Sequence, residues 1–186
     1  MKILVYPGTF DPIACNHVDT LRAAMREKDY DRIYILLQTN RFKGGAMFTY
    51  EARLKFVQAA LVENDMSKVR IITTTSPYFF DALEMNGIIQ VAFSGENLID
   101  VLIGDDSLSS IEEWAHFNLL KKYCKFIIVQ RMFGVEYIWS TAARMFDRFY
   151  VISTPNKISS KTSSTEVRAV ISDVLKAWRR SNTTLS

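Results

Sequence analysis

The chain has 186 residues, 48% of them hydrophobic, which is enough for one domain with a sizeable core. Its formal net charge is only +3 and it has no basic run interleaved with aromatic residues, so the composition does not indicate a nucleic-acid partner. It shows neither a signal-peptide pattern nor an apolar stretch long enough to cross a membrane, so we expect a cytoplasmic protein with no membrane partner.

Short apolar segments typical of strands alternate along the chain with segments of helical periodicity. The predicted strands are 2–6, 32–37, 69–72, 99–103, 126–130 and 149–153, and the predicted helices are 15–28, 49–63, 78–86, 107–121, 135–146 and 163–180. This alternation predicts an α/β fold, a single Rossmann-like domain with a parallel sheet and helices on both faces. We expect the domain to span residues 1–180 and a polar tail to occupy 181–186.

The first strand ends in a glycine turn that leads into a helix. Gly8 permits backbone conformations closed to other residues, so the chain can turn sharply and direct N–H groups outward. A helix N-terminus after such a turn favours anions, and His17 in its first turn could donate a hydrogen bond to a phosphoryl oxygen. A lone histidine at this position could equally cap the helix or pack against it.

A second candidate phosphate site precedes the last helix. Ser163 and Glu166 fit a capping box, which would explain the segment as a simple helix start. Thr165 and Arg168 lie one turn apart on the same face, so a hydroxyl and a guanidinium could hold one phosphate. Together with the Gly8 turn, this segment indicates chemistry on a nucleoside triphosphate.

Other candidates lie after predicted strands, where ligands bind in this architecture. Lys43 stands in a glycine-flanked basic loop that could be solvated or could close over a triphosphate. Arg131 could reach the nucleotide or pair with Asp147 or Glu136.

Asp105 and Asp106 could cap the helix predicted at 107–121, and Trp114 on that helix could belong to the core. Cysteine and histidine are too few for a metal cluster or a disulfide framework: Cys15 and Cys124 are far apart, and we expect His116 to be structural. We therefore predict no protein-bound metal.

These residues together resemble a known family. Gly8–Pro12 through His17, with Ser163–Arg168, resembles the nucleotidylyltransferase superfamily and its (H/T)xGH and ISSTxxR signatures. Ile103–Leu108 followed by Trp114 is similar to the bacterial nicotinate-nucleotide adenylyltransferases. The resemblance covers roughly residues 1–170 and implies the nucleotidylyltransferase fold.

The resemblance also implies a reaction and a role for each candidate. ATP would join nicotinate mononucleotide to give nicotinate adenine dinucleotide and pyrophosphate, in NAD biosynthesis, with Mg²⁺ arriving on ATP. The implied catalytic residues are His17, Lys43, Thr165 and Arg168; the implied ATP-binding residues are Gly8, Thr9, Phe10, His17, Arg131, Ser163, Ser164, Thr165 and Arg168; the implied acceptor-binding residues are Tyr78, Phe79, Asp106 and Trp114.

Three positions depart from the family pattern. Ala14 stands where the family has His or Thr, and losing one preorganised donor costs about 10²–10³ in rate. Asn16 replaces the motif's Gly, although Asn tolerates left-handed geometry. Phe79 replaces a Thr that helps bind the pyridine carboxylate.

Three alternatives therefore stay open. The acceptor could be nicotinamide mononucleotide, or it could be phosphopantetheine, because the opening segment is equally similar to pantetheine-phosphate adenylyltransferase. The chain could also be a nucleotide-binding homologue that has lost catalysis. The sequence does not indicate the oligomeric state or the preference for ATP over CTP.

Overall fold

The computed structural model describes residues 1–39, 46–93, 99–153 and 163–183, with only the helical backbone for 177–183. Its strands are β1 (Ile3–Gly8), β2 (Arg32–Leu37), β3 (Val69–Thr73), β4 (Ile99–Gly104), β5 (Cys124–Val129) and β6 (Phe149–Ile152). Its α-helices are α1 (Cys15–Glu27), α2 (Tyr50–Glu63), α3 (Phe79–Met85), α4 (Ile89–Phe93), α5 (Phe117–Tyr123), α6 (Val135–Met145) and α7 (Ser164–Thr183).

The strands form one parallel sheet in the order β3-β2-β1-β4-β5-β6. Successive side chains of β1 point to opposite faces, as the pleat of a strand requires. Ile3 and Val5 pack on the face covered by α3 to α6, whereas Leu4 and Tyr6 pack on the face covered by α1 and α2. Both faces are therefore buried, and the predicted α/β fold with helices on both faces is confirmed.

The direction of chain winding reverses between β1 and β4, which are neighbours in the sheet. The chain passes from β1 outward to β3, then returns to β4 and proceeds to β6 on the other side. The carboxyl ends of β1 and β4, at Gly8 and Gly104, therefore flank the switch point, where α/β sheets bind ligands.

The prediction of one helix over residues 107–121 is wrong. Two 3-10 turns, Asp105–Ser109 and Ile111–Glu113, stand in its place, and α5 begins only at Phe117. Serine side chains offer the backbone local alternatives to α-helical bonds, as the Ser109 hydroxyl does by donating to the Asp106 carbonyl oxygen. Trp114 consequently lies in an irregular segment rather than on a helix.

Two further differences are small. The sequence periodicity missed α4, whose five residues are too few to show a helical pattern. The last helix continues to Thr183, three residues beyond its predicted end. The other predicted boundaries lie within two residues of the observed ones. Within the described ranges, no helix is both long and apolar enough to cross a membrane.

Candidate active site

A cavity of about 940 Å³ opens beside the switch point. It is lined by every predicted site residue in the described part of the chain, namely Gly8, Thr9, Phe10, His17, Tyr78, Phe79, Asp106, Trp114, Arg131, Ser163, Ser164, Thr165 and Arg168. The fourth predicted catalytic residue, Lys43, lies outside the described residues. The fold thus gathers segments from both ends and the middle of the chain around one space.

The turn after β1 is shaped by a close approach of Phe10 to Gly8. A Cβ atom at Gly8 would lie 2.6 Å from Cζ of the Phe10 ring, so no side chain fits there unless the ring moves. The left-handed conformation belongs to Phe10, with φ of 45°, and not to Gly8. The expectation that Gly8 supplies the unusual backbone conformation is therefore wrong, because Gly8 is needed for space.

His17 is held as a neutral imidazole. Its Nδ1 accepts a hydrogen bond of 3.0 Å from the backbone N–H of Ala14. Burial, chiefly, and the positive charge of Arg131 together lower the pKa of His17 to about 4. At neutral pH the ring proton must then sit on Nε2, because Nδ1 is occupied as an acceptor. The imidazole can therefore offer a ligand one uncharged N–H donor.

The two departures beside His17 have different outcomes. Ala14 precedes the first residue of α1, and its buried methyl group offers no donor. Asn16 is the second residue of α1 and does not have positive φ, so the tolerance of Asn for left-handed geometry plays no part. The Asn16 side chain is buried, and its amide oxygen has no hydrogen-bond partner among the described residues.

The start of α7 docks directly on the β1–α1 turn. The Ser164 hydroxyl donates to the Pro12 carbonyl oxygen at 2.6 Å. Arg168 donates through Nη1 to the Asp11 carbonyl oxygen and through Nη2 to the Thr165 hydroxyl at 3.1 Å. The hydroxyl and guanidinium that the sequence placed on one helix face therefore meet.

The capping box is present as well. The Ser163 N–H donates to the Glu166 carboxylate at 2.9 Å, and the Glu166 N–H donates back to the Ser163 hydroxyl at 3.3 Å. The same turn lines the cavity, so the structural and the ligand-binding interpretations are compatible.

Two buried side chains that the sequence did not single out stabilise the backbone around the β1–α1 turn. The carboxylate of Asp11 accepts from the backbone N–H groups of Met47 and Phe48, at 2.8 and 3.0 Å. Arg53 is 2% exposed and donates to the carbonyl oxygens of Thr9 and Gln38. Their partners are mostly backbone groups, which every residue type carries. The sequence therefore contains no pattern from which these contacts could be predicted.

Asp106 and Arg131 form an ion pair with 3.3 Å between Oδ1 and Nη1. Arg131 thus pairs with Asp106 rather than with Asp147 or Glu136. The pair lies against the end of β4, where a Cβ at Gly104 would come within 2.7 Å of the Arg131 guanidinium. A side chain at that position would therefore displace the pair.

The preceding residue, Asp105, is fully buried. Its carboxylate accepts from the backbone N–H groups of Met132 and Phe133, at 2.8 and 2.7 Å. Asp105 therefore fixes the turn that follows β5 and carries Arg131. The sequence proposed only that Asp105 or Asp106 caps a helix, so this contact is a further role that it missed.

An aromatic wall closes another side of the cavity. The rings of Phe79 and Trp114 meet edge to face with centroids 5.5 Å apart, and Phe79 is 3% exposed. Trp114 is partly buried and packs on the core while also lining the cavity, so both interpretations of this residue apply. Tyr78 lies beside them and is 40% exposed.

In the described ranges, no group of three or more His, Cys, Asp or Glu side chains is placed to hold a metal ion.

Known proteins resemble this chain in sequence and in fold. A protein of Fusobacterium nucleatum named probable nicotinate-nucleotide adenylyltransferase is 26% identical over 135 residues, which cover 70% of this chain and 68% of that protein. A phosphopantetheine adenylyltransferase of Geobacter sulfurreducens is 37% identical over 68 residues, which cover 37% of this chain and 40% of that protein.

Among solved structures, the nicotinic acid mononucleotide adenylyltransferase of Plasmodium falciparum complexed with NaAD superposes with a TM-score of 0.70 at 21% identity, covering 90% of this chain and 82% of that one. This similarity shows a shared fold. The Cytidylyltransferase-like family model matches residues 5–170. The match takes in the Gly8 turn, the Asp106–Trp114 segment and the start of α7, and the chain therefore belongs to the Cytidylyltransferase-like family.

Proposed function

We propose that this protein is an adenylyltransferase that joins ATP to nicotinate mononucleotide, giving nicotinate adenine dinucleotide and pyrophosphate in NAD biosynthesis. The observation that carries the proposal is the cavity at the switch point, where the Gly8–His17 turn, the start of α7 and the Asp106–Trp114 segment meet. The longer alignment with the nicotinate-nucleotide enzyme, 70% of this chain against 37% for the phosphopantetheine enzyme, favours the pyridine acceptor.

The proposed chemistry needs no general base on the protein. A phosphate monoester is mostly dianionic near neutral pH, so the acceptor phosphate can attack the α-phosphorus of ATP directly. The new bond joins the acceptor oxygen to the α-phosphorus, and pyrophosphate leaves in line. Catalysis then consists of positioning the two substrates and stabilising charge on the transferred group. ATP would enter as its Mg²⁺ complex, and the reaction would take place in the cytoplasm.

His17 would donate its Nε2–H to a non-bridging oxygen of the α-phosphate. The lowered pKa suits this role, since the imidazole stays neutral at pH 7 and its donor needs no change of protonation state. The Ala14 N–H fixes the tautomer by donating to Nδ1. The backbone around Thr9 and Phe10 lines the same part of the cavity and would contact the nucleotide closely, with Gly8 leaving room for the Phe10 ring.

The β- and γ-phosphates would lie at the start of α7. Ser163, Ser164 and Thr165 line the cavity at a helix N-terminus, which favours anions, and Arg168 adds a positive charge there. The contact of Arg168 with the backbone of Asp11 holds the guanidinium in place before ATP binds. We propose that Lys43 assists these residues.

The acceptor would occupy the other end of the cavity. Trp114 would stack on its ring beside Tyr78 and Phe79, and Asp106 would accept hydrogen bonds from its ribose hydroxyls. Arg131 would use donors that Asp106 leaves unused to contact the nucleotide, since a guanidinium carries five N–H groups.

The test is pyrophosphate release from MgATP with three acceptors offered in parallel: nicotinate mononucleotide, nicotinamide mononucleotide and phosphopantetheine. We expect release that depends on nicotinate mononucleotide. Release with phosphopantetheine alone would overturn the pyridine assignment. If none of the three acceptors gives pyrophosphate release but ATP binding is measurable, the result would instead favour a nucleotide-binding protein that has lost catalysis. The missing donor at Ala14 is consistent with such a loss.

One observation favours nicotinamide mononucleotide as a second candidate acceptor. Phe79 is packed edge to face against Trp114, so the place where related enzymes have a carboxylate-binding hydroxyl is apolar here. An uncharged amide on the pyridine ring loses less than a carboxylate does when that hydroxyl is absent, because burying an unpaired charge costs more than burying an amide.

A further inference from the structure

Two chain segments form the end of the cavity at Trp114. Pro77–Phe79 leads into α3, and Glu113–Ala115 leads towards α5. Just behind them, Nε2 of His116 lies 3.4 Å from Oδ1 of Asp81, which is on α3. Neither His116 nor Asp81 is among the described residues that line the cavity. This contact, the His116–Asp81 clasp, joins the two segments from behind.

The Asp81 side of the clasp is held by the turn between β3 and α3. Its other oxygen, Oδ2, accepts from the Ser76 hydroxyl at 3.1 Å. The Ser76 oxygen in turn accepts from the backbone N–H of Tyr78 at 3.2 Å. The carboxylate is therefore tied to the backbone of the segment that carries Tyr78 and Phe79.

The His116 side is held by its own backbone and by neighbouring rings. His116 has φ of 61°, a left-handed conformation that side-chain-bearing residues adopt only where their surroundings determine it. The imidazole contacts the rings of Phe80 and Tyr78, with centroids 5.7 and 6.4 Å away. The carbonyl oxygen of Trp114, two residues earlier, accepts from the Phe117 N–H at 3.1 Å. The turn that carries Trp114 is therefore continuous with the clasp.

We infer that His116 is a positioning residue: by holding Asp81 it fixes the Trp114 ring relative to Phe79 and so sets the affinity for the acceptor. The inference rests on the proposed function only for the identity of that ligand. The side chains of His116 and Asp81 are 48% and 35% exposed, and a polar contact so exposed contributes little to folding even where both groups are charged. The clasp therefore acts on the shape of the cavity rather than on global stability.

The test compares His116→Ala, Asp81→Ala and the double variant by steady-state kinetics in both substrates. We expect each single change to raise the acceptor KM by up to about fivefold, the most that one exposed charge contact contributes, while the KM for ATP stays within about twofold. The double variant should be no worse than Asp81→Ala, because that change already removes the clasp together with the contact to Ser76. Melting temperatures should stay close to that of the unchanged protein.

Two matched variants sharpen this test. His116→Gln keeps an N–H donor near the position of Nε2 and should restore most of the acceptor affinity. Glu112→Ala removes an exposed carboxylate from the same segment, at a position that does not line the cavity, and should change neither KM. Three results would each overturn the inference. They are an equal rise in KM for both substrates, additive effects in the double variant, and no change in the acceptor KM.

A second readout does not depend on activity. In a chain carrying Trp139→Phe and Trp178→Phe, Trp114 is the remaining tryptophan, and acrylamide quenching reports its exposure. We expect His116→Ala to increase the quenching and His116→Gln to leave it nearly unchanged; no increase in His116→Ala would overturn the inference. If the proposed function is wrong, the protein without substitutions releases no pyrophosphate with any acceptor. The quenching experiment does not depend on that result, so failure of the function and failure of the inference are distinguishable.

Discussion

Arg168 donates through Nη1 to the main-chain carbonyl oxygen of Asp11, a residue 157 positions earlier in the chain. The same guanidinium nitrogen lies 3.7 Å from the Asp11 carboxylate, which is itself engaged by two backbone N–H groups. The two segments that the sequence predicts to bind phosphate are thus joined through one buried acidic residue. Asp11 holds together the turn after β1, the start of α7 and the segment that leads into α2.

Replacing Asp11 should therefore cost both stability and ATP affinity. Asp11→Ala leaves the N–H groups of Met47 and Phe48 without their acceptor and removes the carboxylate beside Arg168. We expect a loss of about 2–4 kcal/mol in the free energy of unfolding, measured by urea denaturation, and a higher KM for ATP. Asp11→Asn keeps one oxygen acceptor and should lose less.

Asp31→Ala is the matched control for Asp11. Its carboxylate also accepts from a backbone N–H, that of Lys2, but the contact is exposed and far from the cavity. We expect this change to cost less than about 1 kcal/mol and to leave the KM for ATP unaltered. Equal effects at the two positions would contradict the role given to Asp11.

Removal of the His17 imidazole should affect turnover far more than ATP binding. His17→Ala removes one preorganised donor, so we expect kcat to fall by about 10²–10³. The dissociation constant for ATP, measured by calorimetry, should change by less than about tenfold, since the phosphates would keep the contacts proposed for them at the start of α7. Proportional losses in binding and turnover would show instead that His17 serves ground-state binding.

His17 should also make stability depend on pH. Its pKa in the folded protein is about 4, against 6.5 for an ordinary histidine. As pH falls below 6.5, the unfolded chain takes up a proton that the folded chain refuses until about pH 4. The free energy of unfolding should therefore fall between pH 6.5 and 4 by up to about 3 kcal/mol on account of this group.

The comparison that isolates His17 is with His17→Asn. Carboxylates also titrate in the acid range, so the informative quantity is the difference between the two curves of unfolding free energy against pH. We expect that difference to change across the window from pH 6.5 to 4 and to be flat above pH 7. Parallel curves would mean that the imidazole is not held neutral by burial.

Features that depend on short-range pattern were predictable. The Gly8 turn and the Ser163–Arg168 segment were expected to share one site, and both line the cavity because the ends of parallel strands lie on one edge of the sheet. Even there, the sequence did not show that Phe10, not Gly8, takes the left-handed conformation.

Features that depend on contacts between distant parts of the chain were not predictable. The segment expected to be a helix at 107–121 contains two 3-10 turns instead, and there the Ser109 hydroxyl donates to the nearby backbone at Asp106. His116 was expected to be only structural, and no local pattern announces its contact with Asp81, 35 positions earlier. Asp11 and Asp105 pair with backbone N–H groups, which leave no trace in the sequence.

The acceptor preference should change when Phe79 is replaced by Thr, the residue that the family resemblance implies at this position. Phe79→Thr introduces a hydroxyl beside Trp114, where it can donate to the pyridine carboxylate. We expect kcat/KM for nicotinate mononucleotide to rise about tenfold or more relative to that for nicotinamide mononucleotide, the effect of one hydrogen bond to a charged group.

The control must separate the effect of the added hydroxyl from the effect of removing the Phe79 ring. Phe79 is almost fully buried, so any small residue there should cost about 3–5 kcal/mol in the free energy of unfolding. Phe79→Val has nearly the same shape as Phe79→Thr and lacks only the hydroxyl, so it carries the same packing loss. The ratio of acceptor preferences between these two variants measures the hydroxyl alone. If Thr and Val give the same ratio, the pyridine substituent does not lie against residue 79, and the position assigned to the acceptor ring beside Trp114 is wrong.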